Sequence, residues 1–307
     1  LLEHDDLLFA KQTLVESGAG KVSIFKGYHP TVFESHLIRC RIDKKKSDPN
    51  FIYYLFKSTV GKGAVSTIVQ QVAAAGIKGS DLQELKFMFP SLNEQKAIAA
   101  VLSSLDDKID LLHRQNKTLE AMAETLFRQW FVEEAGEDWE ECNFHNFVNH
   151  LKDNVVPSKT PEKVFHYYSL PAYDAGMRPT IEAGSQVLSN KYQVKPWSIL
   201  ASKLNPRFPR IWPIGNLTDK DAICSTGFQV FKPKNNNLYV YVYFLLRSEK
   251  AKEELMMAVS GTSGSHQRVK PEDMLNLRTS LPSTDSAIKY SALVMPNLRK
   301  MWANSEQ

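Results

Sequence analysis

Between Ser91 and Ala135 the chain contains no glycine and no proline, and its apolar residues recur on a seven-residue repeat. Ile98, Leu102, Leu105, Ile109, Leu112, Asn116, Leu119, Ala123, Leu126 and Trp130 are spaced alternately by four and three, as the a and d positions of a coiled-coil seam are. At ~1.5 Å per residue this predicts a helical rod on the order of 60 Å long. Ser91 and Glu94 form a capping box behind Pro90, and Gly136 offers a left-handed exit. Asn116 is the polar member of the seam: it either fixes register between packed helices or lies where the helix meets solvent. A stripe this long needs a partner helix, in this chain or in another subunit.

The segments on either side of the rod repeat one another with an offset near 192. Asp5–Lys11 aligns with Trp197–Lys203, Ile77-Lys78 with Val269-Lys270, and Phe89-Pro90-Ser91 with Leu281-Pro282-Ser283. In between the offset is nearer 190, where Tyr53–Phe56 meets Tyr243–Leu246 and Phe33-Glu34-Ser35 meets Ile223-Cys224-Ser225. The repeat predicts a second copy of the rod after Ser283, where Ala287, Ile288, Leu293, Val294, Leu298, Met301 and Trp302 give helical character and Pro296 a kink or break. It also predicts that the first lobe lacks an N-terminal part and that the second long helix is cut short. The second lobe reads as mixed. Trp139–Leu151 is an amphipathic entry segment. His166–Pro171, Ser185–Leu188, Ser198–Ala201 and Gly227–Lys232 are strands. Leu238–Arg247 and Glu249–Met256 are helices, and Pro271–Met274 is a helix start.

Charge changes the picture. The chain carries a net +4, yet Ser91–Glu141 holds five basic and twelve acidic residues, a net of −7 that leaves +11 on the rest. An acidic rod is a poor phosphate binder, while the flanking lobes have the sign a polyanion attracts. Cys40, Cys142 and Cys224 are isolated, which fits a reducing compartment and no zinc site. The histidines are scattered, no apolar run reaches the length of a membrane span, and no signal-like start is present. Ser17–Lys21 is glycine-rich without being a phosphate-binding motif, and the acidic pairs Asp5-Asp6 and Asp106-Asp107 lack a nuclease lysine. No catalytic constellation emerges.

Two loops of the second lobe have the composition of a nucleic-acid reader. Ser202–Trp212 sets Lys203, Asn205, Arg207 and Arg210 on a proline-stiffened frame, and Arg and Asn pair bidentately with guanine and adenine edges. Ser260–Lys270 offers Ser263, Ser265, Gln267, Arg268 and Lys270 among glycines that allow close approach to phosphate. The equivalent first-lobe candidates are Lys11, Gln12, Lys21, Gln71 and Lys78.

Pro90–Ala99, Leu102–Ile109, Thr118–Ala123 and Leu126–Phe131 together resemble the central conserved region of type I restriction–modification specificity subunits. The resemblance implies an α+β fold: two mixed α/β target recognition domains separated by long antiparallel coiled-coil helices. The expected division is a first recognition domain at 1–90, a long helix at 91–136, a second recognition domain at 137–282 and the start of a second helix at 283–307. It implies a non-catalytic subunit that reads the two halves of a bipartite double-stranded DNA site. The seam of Ile98, Leu102, Leu105, Ile109, Leu112, Asn116, Leu119, Leu126 and Trp130 would set the spacer and meet partners. Implied partners are two methyltransferase (M) subunits and restriction (R) subunits in the cytoplasm, with S-adenosylmethionine, ATP and Mg belonging to them and no cofactor in this chain. The alternative on the residues alone is a coiled-coil scaffold whose lobes bind protein.

Overall fold

The computed structural model describes residues 1–13, 18–71, 75–136, 139–217, 221–259 and 267–306. The chain divides into two compact units, Leu1–Leu111 and Leu112–Gln307. The first opens with β1 (Leu7–Ala10), β2 (Gln12–Thr13), β3 (Val22–Ile24) and β4 (Leu37–Cys40). β1 is the middle of an antiparallel sheet ordered β3-β1-β4. Next come α1 (Pro49–Lys57) and α2 (Thr59–Ser66), then β5 (Gln70–Gln71), β6 (Ala75–Gly76) and α3 (Gly79–Gln83). Asp48 caps α1 by accepting the Phe51 N–H, and Pro49 fits the first turn because it has no N–H to leave unpaired. Leu7, Phe9, Phe51, Ile52, Val65, Ile77, Leu82 and Ala99 form the core.

Ala99 belongs to α4 (Leu92–Arg128), the predicted long helix. Its capping box is present: the Ser91 N–H donates to Glu94 at 2.9 Å and the Glu94 N–H to the Ser91 hydroxyl at 3.4 Å. Gln95, buried beside it, accepts from the Ser47 hydroxyl and the Asp48 N–H and donates to the Pro90 carbonyl. The Glu-Gln pair thus divides its labour: Glu94 starts the helix and Gln95 ties it to the start of α1. Past Arg128 the helix leaves α geometry: Gln129–Glu133 forms one π turn closed by the Glu134 N–H on the Gln129 carbonyl.

The second unit contains β7 (Glu141–Asn143), β8 (Val148–Leu151), β9 (Asn154–Val155), β10 (Val164–Tyr168), α5 (Leu170–Asp174), β11 (Thr180–Ala183) and β12 (Lys191–Gln193). It continues with β13 (Ile199–Ser202), β14 (Ile211–Pro213), β15 (Ala222–Ser225), β16 (Phe228–Pro233), α6 (Tyr239–Arg247), α7 (Glu249–Met257), α8 (Pro271–Leu275), β17 (Arg278–Ser280) and α9 (Thr284–Glu306). A four-stranded sheet, β14-β13-β16-β8, is buried on both faces. Ile199, Ala201 and Phe231 join α6, α9 and the end of α4 in one core; Leu200, Phe228 and Val230 join β15 and α5 in another. The second core lies against a five-stranded sheet, β11-β10-β15-β12-β9. Because both faces are covered, the period-two alternation of Gly227–Lys232 sorts residues between two cores, not between core and water.

α9 packs antiparallel on α4 within this unit. The Tyr290 hydroxyl donates to the Ala123 carbonyl at 3.0 Å, and further along Asn116 donates to the Met301 carbonyl at 3.4 Å. The Asn304 amide donates to Gln115 and, at 2.7 Å, to Asn116. Asn116 is therefore the register-fixing seam residue. Pro296 lies inside α9 without breaking it. Leu112 is buried, and Leu119, Leu126 and Trp130 pack against the core that α9 completes.

Ile98, Leu105 and Ile109 are 42%, 56% and 50% exposed, so no described residue of the first unit covers them, and it is Ala99 that turns into its core. Leu102 is half-buried. Trp139–Leu151 is not one amphipathic segment: Phe144, Phe147 and Leu151 have helical spacing, but Phe144 sits in a 3-10 turn between β7 and β8. Ser185–Leu188 is a 3-10 turn and loop, not a strand. Phe33-Glu34-Ser35 lies in no strand, whereas Ile223-Cys224-Ser225, aligned with it, lies in β15. The other repeat blocks superimpose in topology: β1, β3 and β4 correspond to β13, β14 and β16, and α1, α2, α3 and α4 to α6, α7, α8 and α9.

Candidate nucleic-acid interface

The repeat extends to individual bonds. In the first unit the Lys11 N–H donates to the His36 carbonyl and the Lys11 carbonyl accepts from the Ile77 N–H. In the second, the Lys203 N–H donates to Gly227 and its carbonyl accepts from Val269, at 2.8 and 2.9 Å in both cases. Gln12 pairs with Gly76 across β2 and β6; Leu204 pairs with Arg268 as an isolated bridge. Asp5 and Trp197 share a positive φ, 74° and 59°, just before the central strand. Each unit thus pins the chain leaving its central strand against the segment that precedes α3 or α8. The predicted loop pairs are brought together in both units.

In the first unit Lys11, Gln12, Lys21 and Lys78 are exposed around this junction. Lys21 is held near by the Ala10 N–H on its carbonyl at 2.9 Å. The turn before it needs Gly20, whose φ is +74° and where a Cβ would meet the Val65 side chain at 2.3 Å. Gln71 lies in β5, next to β6.

In the second unit Lys203, Asn205, Gln267, Arg268 and Lys270 converge. The Asn205 N–H donates to the Gln267 carbonyl at 3.0 Å. Lys203 is half-buried with its ammonium 5.5 Å from the Tyr192 ring. Burial lowers its proton affinity, the Cys224 thiol opposes this, and the charges of Arg268 and Lys152 lower it further. Arg268 and Lys270 are exposed, and the Lys270 N–H is capped by Asp273 at 3.0 Å. Arg207 is exposed and stacks on Phe208. Arg210 differs: it forms a bidentate pair with Asp174 at 2.7 and 3.0 Å, which raises its proton affinity and takes up its fork. Ser263 and Ser265 lie outside the described residues.

Sequence reasoning missed Lys152 and His150, which flank Lys203 from β8 and the residue after it. Burial lowers the His150 proton affinity, and the charges of Lys152 and Lys203 lower it further. Their signal was hidden because β8 sits in the segment whose apolar spacing looks helical. Asp5 and Asp6 show no catalytic arrangement. Lys26 and Lys44 hold Asp5 at 2.8 Å each, and Arg41 clamps the buried Asp6. Among the described residues no group of three or more His, Cys, Asp or Glu could hold a metal ion, and no helix is long and apolar enough to cross a membrane. The geometry offers cationic and amide groups on twin two-loop junctions, a surface suited to binding a polyanion.

Residues 1–121 match the model of the type I restriction modification DNA specificity domain. The type I restriction enzyme MjaIX specificity subunit of Methanocaldococcus jannaschii is 39% identical over 108 residues, 35% of this chain and 24% of that protein. The MjaVIII specificity subunit of the same organism is 26% identical over 121 residues, 39% and 28% respectively. These alignments span well under half the length of the curated relatives. In fold, the chain is similar to the crystal structure of a type I restriction–modification system S subunit from M. genitalium, with a TM-score of 0.56 at 19% identity, covering 100% of this chain and 79% of that one.

Proposed function

We propose that this chain, which belongs to the type I restriction–modification DNA specificity family, is the non-catalytic subunit that reads a two-part double-stranded DNA site. The observation that carries this reading is the duplication: the same basic two-loop junction occurs once in each unit, and one continuous helix, α4, runs from the first unit into the second. Residues 1–90 and 137–282 are the recognition domains, and 91–136 with 283–307 the helices that fix the unread spacer. Lys11, Gln12, Lys21, Gln71 and Lys78 face one half-site. Lys203, Asn205, Arg207, Gln267, Arg268 and Lys270 face the other, with Arg210 supporting its loop. The stretch Ser91–Glu141, whose net −7 comes mostly from the acidic residues after α4, repels phosphate and suits protein partners: methyltransferase subunits supplying S-adenosylmethionine, and restriction subunits with ATP and Mg, in the cytoplasm.

The test is titration of the chain, assembled with its methyltransferase partner, against duplex DNA at several salt concentrations. If the five exposed cations Lys11, Lys21, Lys78, Arg268 and Lys270 each neutralise a phosphate, log K falls with log salt at a slope of roughly −4.5. Absent or salt-insensitive binding refutes the reading. One heptad inserted between Leu105 and Ile109 leaves the α4–α9 contacts from Gln115 onward in register. It should lengthen the spacer without changing either half-site.

A further inference from the structure

The loop between β13 and β14 is built as a stiff finger, and its parts do different work. At its base the Ser202 N–H donates to the Arg210 carbonyl at 3.0 Å, and the Ser202 hydroxyl accepts the Leu204 N–H at 3.0 Å. Asn205 turns the chain with φ 51°, donates its N–H to Gln267, and its carbonyl accepts the Phe208 N–H at 3.0 Å. Pro206 is buried. Arg210 is locked to Asp174 on α5 by both arms of its guanidinium. What remains outside this framework is the tip. Phe208 is 59% exposed, and the exposed Arg207 carries its guanidinium 5.7 Å from the Phe208 ring. What sets Phe208 apart from other exposed apolar residues is its place: it sits on a loop held at its base, beside a guanidinium, so its ring is free to pack on a flat partner. At the base of the same loop Lys203 has Arg268 and Lys152 as charge neighbours, which gives the partner the character of a polyanion.

We propose that Arg207 and Phe208 are the base-reading tip of the second unit, and that Asp174–Arg210 is the clamp that positions it. The inference rests on the DNA-reading function above. Arg207 pairs bidentately with the O6 and N7 of a guanine in the major groove, and Phe208 packs on the adjoining base, best on a thymine methyl. The surrounding lysines bind phosphate and carry no sequence information. Preorganisation is the purpose of the clamp: the loop is ordered before binding, so little affinity is lost to ordering it.

The experiment measures binding of the chain with its methyltransferase partner to a series of duplexes, each with one base pair of the second half-site changed. Arg207→Ala should abolish discrimination at one G·C position, about 5- to 150-fold in the wild type. The first half-site profile should be unchanged. Phe208→Ala should relax the neighbouring position. Asp174→Asn should weaken discrimination at the Arg207 position, and Asp174→Glu should retain it. If Arg207→Ala weakens binding to every duplex alike and keeps the wild-type profile, Arg207 contacts phosphate and the proposal falls while DNA reading stands. If the wild-type complex binds no duplex, the proposed function falls and the finger with it.

Discussion

Tyr290 offers the sharpest test of how α9 holds to α4 in the second unit. The residue is fully buried. Its ring centroid lies 4.9 Å from that of Phe131 and 6.1 to 6.2 Å from those of Trp130, Phe127 and Phe244. Its hydroxyl donates to the Ala123 carbonyl, which already accepts a helical bond inside α4. Removing the hydroxyl therefore orphans no acceptor, and Tyr290→Phe should cost about 1 kcal/mol. Removing the ring leaves a cavity among four aromatics, and Tyr290→Ala should cost about 3–5 kcal/mol. Trp130, Trp139, Trp197, Trp212 and Trp302 all lie in the second unit, so tryptophan fluorescence during urea unfolding reports on it alone. In thermal unfolding, a unit of this size should lose about 2–4 °C for Tyr290→Phe and at least three times that for Tyr290→Ala. Equal costs for the two variants would mean the hydrogen bond, not aromatic packing, joins the helices. A Tyr290→Ala cost below about 1 kcal/mol would mean they are not packed at all.

The twin serines between paired helices should behave alike but be seen by different probes. Ser58 and Ser248 each donate to the carbonyl three residues back and accept an N–H three residues on, so Ser58→Ala and Ser248→Ala should each cost about 1 kcal/mol. Circular dichroism should register both, and tryptophan fluorescence only the second. Acid should weaken the first unit early. Burial pushes the Asp5 carboxyl up, but hydrogen bonds from Lys26 and Lys44 outweigh it and bring the pKa from 3.8 to about 2, while the Arg41 fork lowers Asp6. Both carboxyls are depressed, so their contribution is complete above 3.8 and drains as pH falls towards 2. Lys26→Met should flatten that loss in thermal melts followed by circular dichroism. Finally, burial pushes the Cys224 thiol up to about 12, so alkylation of the native chain at mildly alkaline pH should label Cys224 far more slowly than on unfolding, as peptide mass spectrometry would show.

Much of this was legible in residue order because it depends on local physics. The capping box of Ser91 and Glu94, the helical runs Leu238–Arg247 and Glu249–Met256, and the repeat that pairs Lys11 with Lys203 all survive in three dimensions. What was not legible depended on neighbours distant in sequence. Nothing local says that Arg210 meets Asp174, so it reads as a free base-pairing arginine when it is a brace. Lys152 and His150 reach the candidate site only because β8 pairs with β16, placing His150 beside Phe231 and its neighbours. The helical spacing of Phe144, Phe147 and Leu151 disguised that strand.

The seam of α4 shows where local pattern stops and tertiary context begins. From Leu112 onward the inward positions Leu112, Asn116, Leu119, Ala123 and Leu126 follow the heptad, because a second helix faces them and rewards a 3.5-residue period. In the first unit the inward positions are Gln95, Ala99, Leu102 and Asp106. They meet not a helix of matching period but the start of α1 and the Tyr54 hydroxyl, which donates to Asp106 at 2.9 Å. A straight α-helix drifts against a strict heptad by ~20° per repeat, so a helix with two different neighbours need not present one continuous stripe to both. Here the inward face moves by one residue, from Ile98 to Ala99, where a small side chain fits the core of the first unit and a branched one is turned to solvent. Swapping them, with Ile98→Ala and Ala99→Ile together, would preserve composition and helix propensity closely. It should still destabilise the first unit by about 1–3 kcal/mol through overpacking at residue 99, measured as a loss in the circular dichroism melt without a change in tryptophan fluorescence. No loss would mean that the heptad face, not Ala99, is the one the core accepts.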